Sequence, residues 1–154
     1  MTIAGIDPGK NGAIAFYEDF MVEWRPMPIS GKEIDVSALA RMIEVHHPDV
    51  AFVEKVHAMP GNGAVSMFSF GKGYGILLGV LGALNIRTEL VTPQAWKKLV
   101  LAGSAKDKDA AISYCRRAFP DVSLIAPRCR TPHDGAADAI CISEFGRRTY
   151  LTTT

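Results

Sequence analysis

Four carboxylates in this chain stand where a cation could gather them. Asp7 closes a strand-like run, Ile3-Ala4-Gly5-Ile6-Asp7, and Glu54 closes a second, Val50-Ala51-Phe52-Val53-Glu54. Asp134 and Asp138 lie four residues apart in a short apolar segment near the other end. Crowding carboxylates together is costly unless something neutralises them. An oxygen-rich donor set suits magnesium, with manganese able to substitute, better than zinc. Such a site can hold two ions about 4 Å apart, one activating water and one stabilising the leaving oxygen of a phosphodiester. The chemistry would be in-line hydrolysis by water.

Each residue also has an ordinary role to weigh. Asp7 precedes Pro8-Gly9, and Asp before Pro-Gly commonly starts a turn. Glu54 could end a strand in solvent beside Lys55. If Val50–Glu54 pairs with the first strand, however, Glu54 comes level with Asp7. Asp134 and Asp138, as i and i+4, are about 40° apart around a helix and roughly 6 Å along it, so both point to one side. Thr131-Pro132-His133-Asp134 resembles a capping box with the acid at its third position, which would explain Asp134. It does not explain Asp138, between Ala137 and Ala139. His133 is five residues from Asp138 and off the shared face, yet it could serve as a second ligand or proton carrier.

The elements that must position these groups can be read from spacing and turns. Residues 2–7 and 12–17 alternate around Pro-Gly-Lys-Asn-Gly, the mark of a hairpin, and residues 21–25 can add a third strand. Val36, Leu39, Ala40 and Ile43 have helical spacing within 35–47, and Pro48 stops that helix. Residues 50–54 form a buried strand and 57–63 a Gly/Pro-rich loop. A long helix runs from about Gly63 to Leu84, followed by a strand over 87–91. Thr92-Pro93 is an N-cap and N1 pair for a short helix holding Trp96. Helices over 106–119 and 132–148 complete the chain. The order β-β-β-α-β-α-β-α-α-α predicts one α/β domain over 1–154, a mixed five-stranded sheet with helices on both faces. That is the layout of the ribonuclease H-like fold.

The composition is that of a globular protein: 154 residues, 48% hydrophobic and 21% charged, net charge +1. Three cysteines fit no zinc spacing and point to a reduced, cytoplasmic setting. No signal peptide is evident. The longest apolar run, Tyr74 to Ile86, is too short to span a bilayer, so no membrane partner is expected. Charge is uneven. Residues 96–130 carry eight basic and three acidic side chains, while the segments on either side are net acidic. A local basic patch can supply the phosphate contacts that dominate nucleic-acid affinity.

At this point the chain resembles a known family, the RuvC crossover-junction endonucleases. The likeness rests on Gly5-Ile6-Asp7-Pro8-Gly9, on Glu54 closing the central strand, and on the Gly-rich helix with Phe70-Gly71-Lys72-Gly73-Tyr74-Gly75. It continues through Thr92-Pro93-Gln94-Ala95-Trp96-Lys97-Lys98 and Ala136-Ala137-Asp138-Ala139. Glu54-Lys55-Val56-His57-Ala58-Met59-Pro60 and Ser143-Glu144-Phe145-Gly146-Arg147-Arg148 look most like the phage and prophage branch, which would place the protein in a bacterial or phage-infected host cell. The resemblance implies a magnesium-dependent homodimer that cuts four-way DNA junctions, with Asp7, Glu54 and Asp138 as catalytic acids and no organic cofactor. In the bacterial pattern a further acid lies three residues before the last Asp. Here Gly135 occupies that position, so the fourth ligand is Asp134 or His133. The family's phosphate-gripping lysines correspond to Lys97 or Lys98 and to Lys106 or Lys108, with Lys97 and Lys108 preferred.

Two further features belong to this reading. Gly71, Gly75 and Gly79 recur on one helix face, and each costs roughly 0.8–1 kcal/mol against Ala. A smooth stripe lets another helix approach closely, either the protein's own sheet or a dimer partner. His57 and Met59, after Glu54, are placed to wedge into opened base pairs. The rival readings are a junction-binding protein without nuclease activity, a related nuclease acting on flap, Y-shaped or hybrid substrates, and an actin-like phosphotransferase. The last needs a duplicated domain that 154 residues cannot contain.

Overall fold

The computed structural model describes residues 1–57, 61, 63–104 and 107–151. Strands β1 (Ile3–Asp7), β2 (Ala13–Glu18) and β3 (Met21–Pro26) form an antiparallel meander. Two short strands, β4 (Ile29–Ser30) and β5 (Glu33–Ile34), make a small hairpin. Helix α1 (Val36–His46) leads to β6 (Val50–Glu54), and α2 (Ala64–Ala83) to β7 (Arg87–Val91). Three helices follow: α3 (Pro93–Val100), α4 (Ala110–Ala118) and α5 (Asp134–Leu151). The main sheet runs β3-β2-β1-β6-β7, with β6 parallel to both of its neighbours. This is the mixed five-stranded sheet expected from the sequence.

Strand alternation divides the core in two. Ala4, Ile6, Ala51 and Val53 face α1 and α2, where they meet Leu39, Ile43, Leu77 and Leu81. Ile3, Val50 and Phe52 face the other way, against Trp96, Cys115, Ala136 and Ile140 of α3, α4 and α5. Helix α5 lies directly on β1, because Gly5 has no side chain. A methyl group there would run into the Ala139 carbonyl and the Ser143 backbone.

Two local expectations change. The β4–β5 hairpin is an addition, turning at Gly31 with φ +63°. Helix α4 starts at Ala110 and not at 106, because Asp107 organises its own turn. Its Oδ1 accepts the Asp109 N–H at 3.0 Å, drawing the backbone out of the helix. Lys108 therefore sits in a turn. The expected Lys106 and Met59 contacts lie outside the described residues.

Candidate active site

The parallel pairing of β1 with β6 sets Ile6 opposite Val53. Asp7 and Glu54 each come one residue later and are thus level at the rim of the sheet. By strand parity both face the α3–α5 side, with Ile3 in one strand and Val50 and Phe52 in the other. Asp134 and Asp138 project from the start of α5 into the same region, and Asp7, Asp134 and Asp138 line one cleft. The electrostatics reflect this convergence. Burial first, then Asp138 and Glu54, raise the Asp7 carboxyl to about 7. Burial likewise raises Asp138 to about 6, with Glu54 and Asp134 adding to the rise and Lys97 opposing it. Negative charge here is concentrated beyond what nearby cations offset.

The donor chemistry fits a hard divalent cation: carboxylate oxygens, half-buried and repelling one another. Among the described residues no three His, Cys, Asp or Glu side chains stand close enough together to hold one ion. Ligation therefore requires the carboxylates to turn toward a common point, which mutual repulsion opposes unless a cation is between them.

Gly135 has a steric explanation. A Cβ at this position would lie 2.7 Å from the Asn11 carbonyl oxygen and 2.9 Å from Asp7 Oδ2. The first turn of α5 rests on the β1–β2 turn so closely that no acid fits there, and the acid stands one residue earlier, at Asp134. His133 is the residue that caps α5. Its Nδ1 accepts the Ala136 N–H at 3.0 Å and its ring lies 5.2 Å from that of Trp24. The cap is thus His133 and not Thr131, and Asp134 opens the helix as an exposed first-turn acid. The capping-box explanation for Asp134 falls away, and only Nε2 of His133 is left for an ion.

Trp96 has a role that its sequence position hides. It is fully buried, and its Nε1 donates to Glu54 Oε1 at 2.9 Å. The same helix holds Lys97 over the Trp96 ring, 5.1 Å from its centroid. Helix α3, capped by Thr92 Oγ1 accepting the Ala95 N–H, thus orients one carboxylate and brings a cation toward another. An aromatic in a short amphipathic helix reads as core, so only its lysine neighbours hinted at more.

Two clefts meet at Asp138. One, of about 810 Å³, contains Gln94, Lys97, Lys98 and Lys108. The other, of about 710 Å³, contains Lys10, Asn11 and Lys32 beside Asp7 and Asp134. The preferred lysines and Lys98 therefore share one wall. Lys10 and Lys32 were not singled out by the sequence, although Lys10 follows Asp7 in its turn. His57 is exposed, three residues beyond Glu54.

No family model and no curated protein matches the sequence. Solved structures do match the fold. Thermus thermophilus RuvC in complex with Holliday junction substrate has a TM-score of 0.66 at 16% identity, covering 100% of this chain and 97% of that one. The yeast mitochondrial Holliday junction resolvase Ydc2 has a TM-score of 0.52 at 17% identity, covering 95% and 77%. The fowlpox virus Holliday junction resolvase has a TM-score of 0.51 at 18% identity, covering 100% of both chains. The chain has the ribonuclease H-like fold in the form that RuvC and these other resolvases share.

Proposed function

We propose that the protein is a divalent-metal-dependent endonuclease that cuts branched DNA, four-way junctions foremost. The observation that carries this reading is the meeting of three chain-distant carboxylates, Asp7, Glu54 and Asp138, at one sheet edge beside a lysine-lined cleft. The fold shared end to end with Holliday junction resolvases supports the same substrate class.

Asp7, Glu54 and Asp138, with Asp134 as a further ligand, would hold magnesium or manganese, with room for two ions. The bound metal supplies charge stabilisation to the attacking and leaving oxygens of the phosphodiester. Water attacks phosphorus, one P–O bond breaks, and the departing oxygen takes up a proton. Trp96 keeps Glu54 in place, and Lys97, Lys98 and Lys108 hold the backbone of the bound strand. His57 lies near enough in sequence to Glu54 to contact DNA at the branch.

Cutting a junction takes two symmetric nicks, so two sites in a twofold dimer suit the task. Helix α2 supplies the face. Among the described residues nothing lies within 4 Å of a Cβ built on Gly71, Gly75, Gly79 or Gly82, and Val65 and Phe68 are 85% and 76% exposed. By length and composition α2 could cross a membrane. Its Gly73, Leu77, Val80 and Leu81, however, are packed against the rest of the fold, which leaves one face for a second copy. The reduced cysteines fit a cytoplasmic setting in a bacterial or phage-infected cell.

The test is incubation with labelled four-way, Y-shaped and linear DNA, with and without magnesium. Paired cuts in the four-way substrate, only with metal, are expected. Binding without cleavage would make the protein a junction binder, and preference for Y-shaped DNA would move it to flap processing.

A further inference from the structure

Lys97, Lys98 and Lys108 all lie in the cleft on one side of Asp138. A DNA strand laid through the site continues past the scissile bond in both directions, and its phosphates carry charge on both sides. The second cleft is what that strand would enter next, and it has its own cations. Lys10 stands in the β1–β2 turn and Lys32 in the β4–β5 turn, both exposed and both lining this cleft. Lys10 Nζ donates to the Lys32 carbonyl at 2.6 Å, which ties the two turns together. That hydrogen bond goes to a neutral oxygen, so it leaves both ammonium charges intact. Of the acids lining this cleft outside the proposed metal site, Glu33 is mainly engaged by Lys72, whose Nζ lies 2.7 Å from both of its carboxylate oxygens, with Lys10 a weaker attraction. Ser66 and Ser69, near the start of α2, add hydroxyl donors to the same wall.

We propose that Lys10 and Lys32 form a second phosphate subsite, gripping the DNA backbone on the side of the scissile phosphate opposite Lys97, Lys98 and Lys108. The inference rests on the reading of this site as a DNA nuclease. It also gives the β4–β5 hairpin a purpose, since the hairpin's turn carries Lys32 to the cleft. Point charges on two linked turns suit a backbone phosphate and carry no base preference.

The test uses four-way junctions and an Asp138→Asn background that binds without cutting. Lys10→Ala/Lys32→Ala should weaken binding severalfold and lower the slope of log K against log salt by about 1 to 2, since each phosphate contact contributes about 0.9. Replacing single phosphates by neutral methylphosphonates locates the contact. A substitution on one side of the scissile position should weaken the parent and not the double variant, while Lys97→Ala/Lys98→Ala should lose sensitivity on the opposite side. Lys32→Ala alone keeps the carbonyl that Lys10 binds, so it checks that hairpin disruption is not the cause. Parent binding with an unchanged affinity and slope in the variants overturns the subsite alone. Sensitivity lost on the Lys97 side also overturns it. A parent that binds no branched DNA overturns the subsite together with the nuclease reading.

Discussion

A carboxyl that titrates near 7, as Asp7 does, gives the folded protein a proton that the unfolded chain has already released. Between its ordinary value of 3.8 and about 7, the native state binds more protons than the unfolded one. Stability therefore falls as pH rises through that window, and Asp138 adds to the fall up to about 6. At about 1.4 kcal/mol per pH unit, Asp7 alone accounts for a decline on the order of 4 kcal/mol across that window. In metal-free buffer the melting temperature should drop from pH 5 to pH 8, and Asp7→Asn should flatten the drop. Magnesium should raise the melting temperature more at pH 8 than at pH 5, because it binds the ionised form. A flat profile in the parent would mean that the carboxylates are not crowded. In cleavage assays Asp7→Asn, Glu54→Gln and Asp138→Asn should each abolish activity and leave junction binding intact or tighter, since each removes charge that repels phosphate. Normal turnover by one of them would remove it from the site.

Asp134 and His133 can be separated by the different jobs they do. His133→Ala loses the cap on α5 and should cost about 1 kcal/mol of stability, with cleavage largely kept. Asp134→Asn should leave stability unchanged and lower cleavage. Thermal melts and rates on both variants decide the matter, and the opposite pattern would make His133 the fourth ligand.

Helix α3 is the element on which the site turns. Trp96→Phe keeps an aromatic ring in the core while losing part of the indole's bulk and the N–H that holds Glu54. A hydrogen bond to a charged group contributes about 1.5–3 kcal/mol, so cleavage should fall about 10- to 100-fold if that bond serves the transition state. DNA affinity, which the proposal assigns to the lysines of the neighbouring cleft, should stay near the parent value. A variant with unchanged rate would make Trp96 a packing residue. Helix α5 is braced at its far end. Glu144, only 3% exposed, accepts from Arg147 Nε and Arg148 Nε at 2.7 Å each, and Arg148 continues to Tyr114 of α4 and the Leu99 carbonyl of α3. The Ser143–Arg148 run, which in the sequence counts toward a family likeness, is a clamp joining three helices.

At the scale of the whole molecule the open question was which way the glycine stripe of α2 faces. Among the described residues, Gly73 is the α2 glycine that is spoken for, since a Cβ there would meet Ile34 Cδ1 at 3.2 Å. Gly75 looks into open space, so Gly75→Leu should not unfold the monomer. It should recover about 0.8–1 kcal/mol of helix propensity. The proposed dimer would be lost, because a Leu side chain holds two helix backbones apart. Sedimentation should give a folded monomer, and junction cleavage should stop at a single nick. A folded, fully active dimer would place the seam elsewhere.

The order of strands and helices could be read along the chain because periodicity, caps and breakers act within a few residues. Asp7, Glu54 and Asp138 stood out for the same reason: each is a charge ending or interrupting a local apolar pattern. Their company could not be read that way. Trp96 and Glu54 are 42 positions apart, and Lys10 and Lys32 are 22 apart. What joins the first pair is the register of β6 on β7, which sets Glu54 opposite Val91 just before α3. What joins the second is the two-residue turn of the β4–β5 hairpin. Neither leaves a mark in the spacing. His133, read from the sequence as an alternative to Asp134 for the fourth ligand, also caps α5 through Nδ1, because a helix start is settled by which backbone N–H lies within reach. Gly135 looked like a missing acid until the β1–β2 turn was found resting against it. Local chemistry named the reactive groups. Contacts between distant residues decided which of them face one another, and close packing decided where a side chain has room to exist.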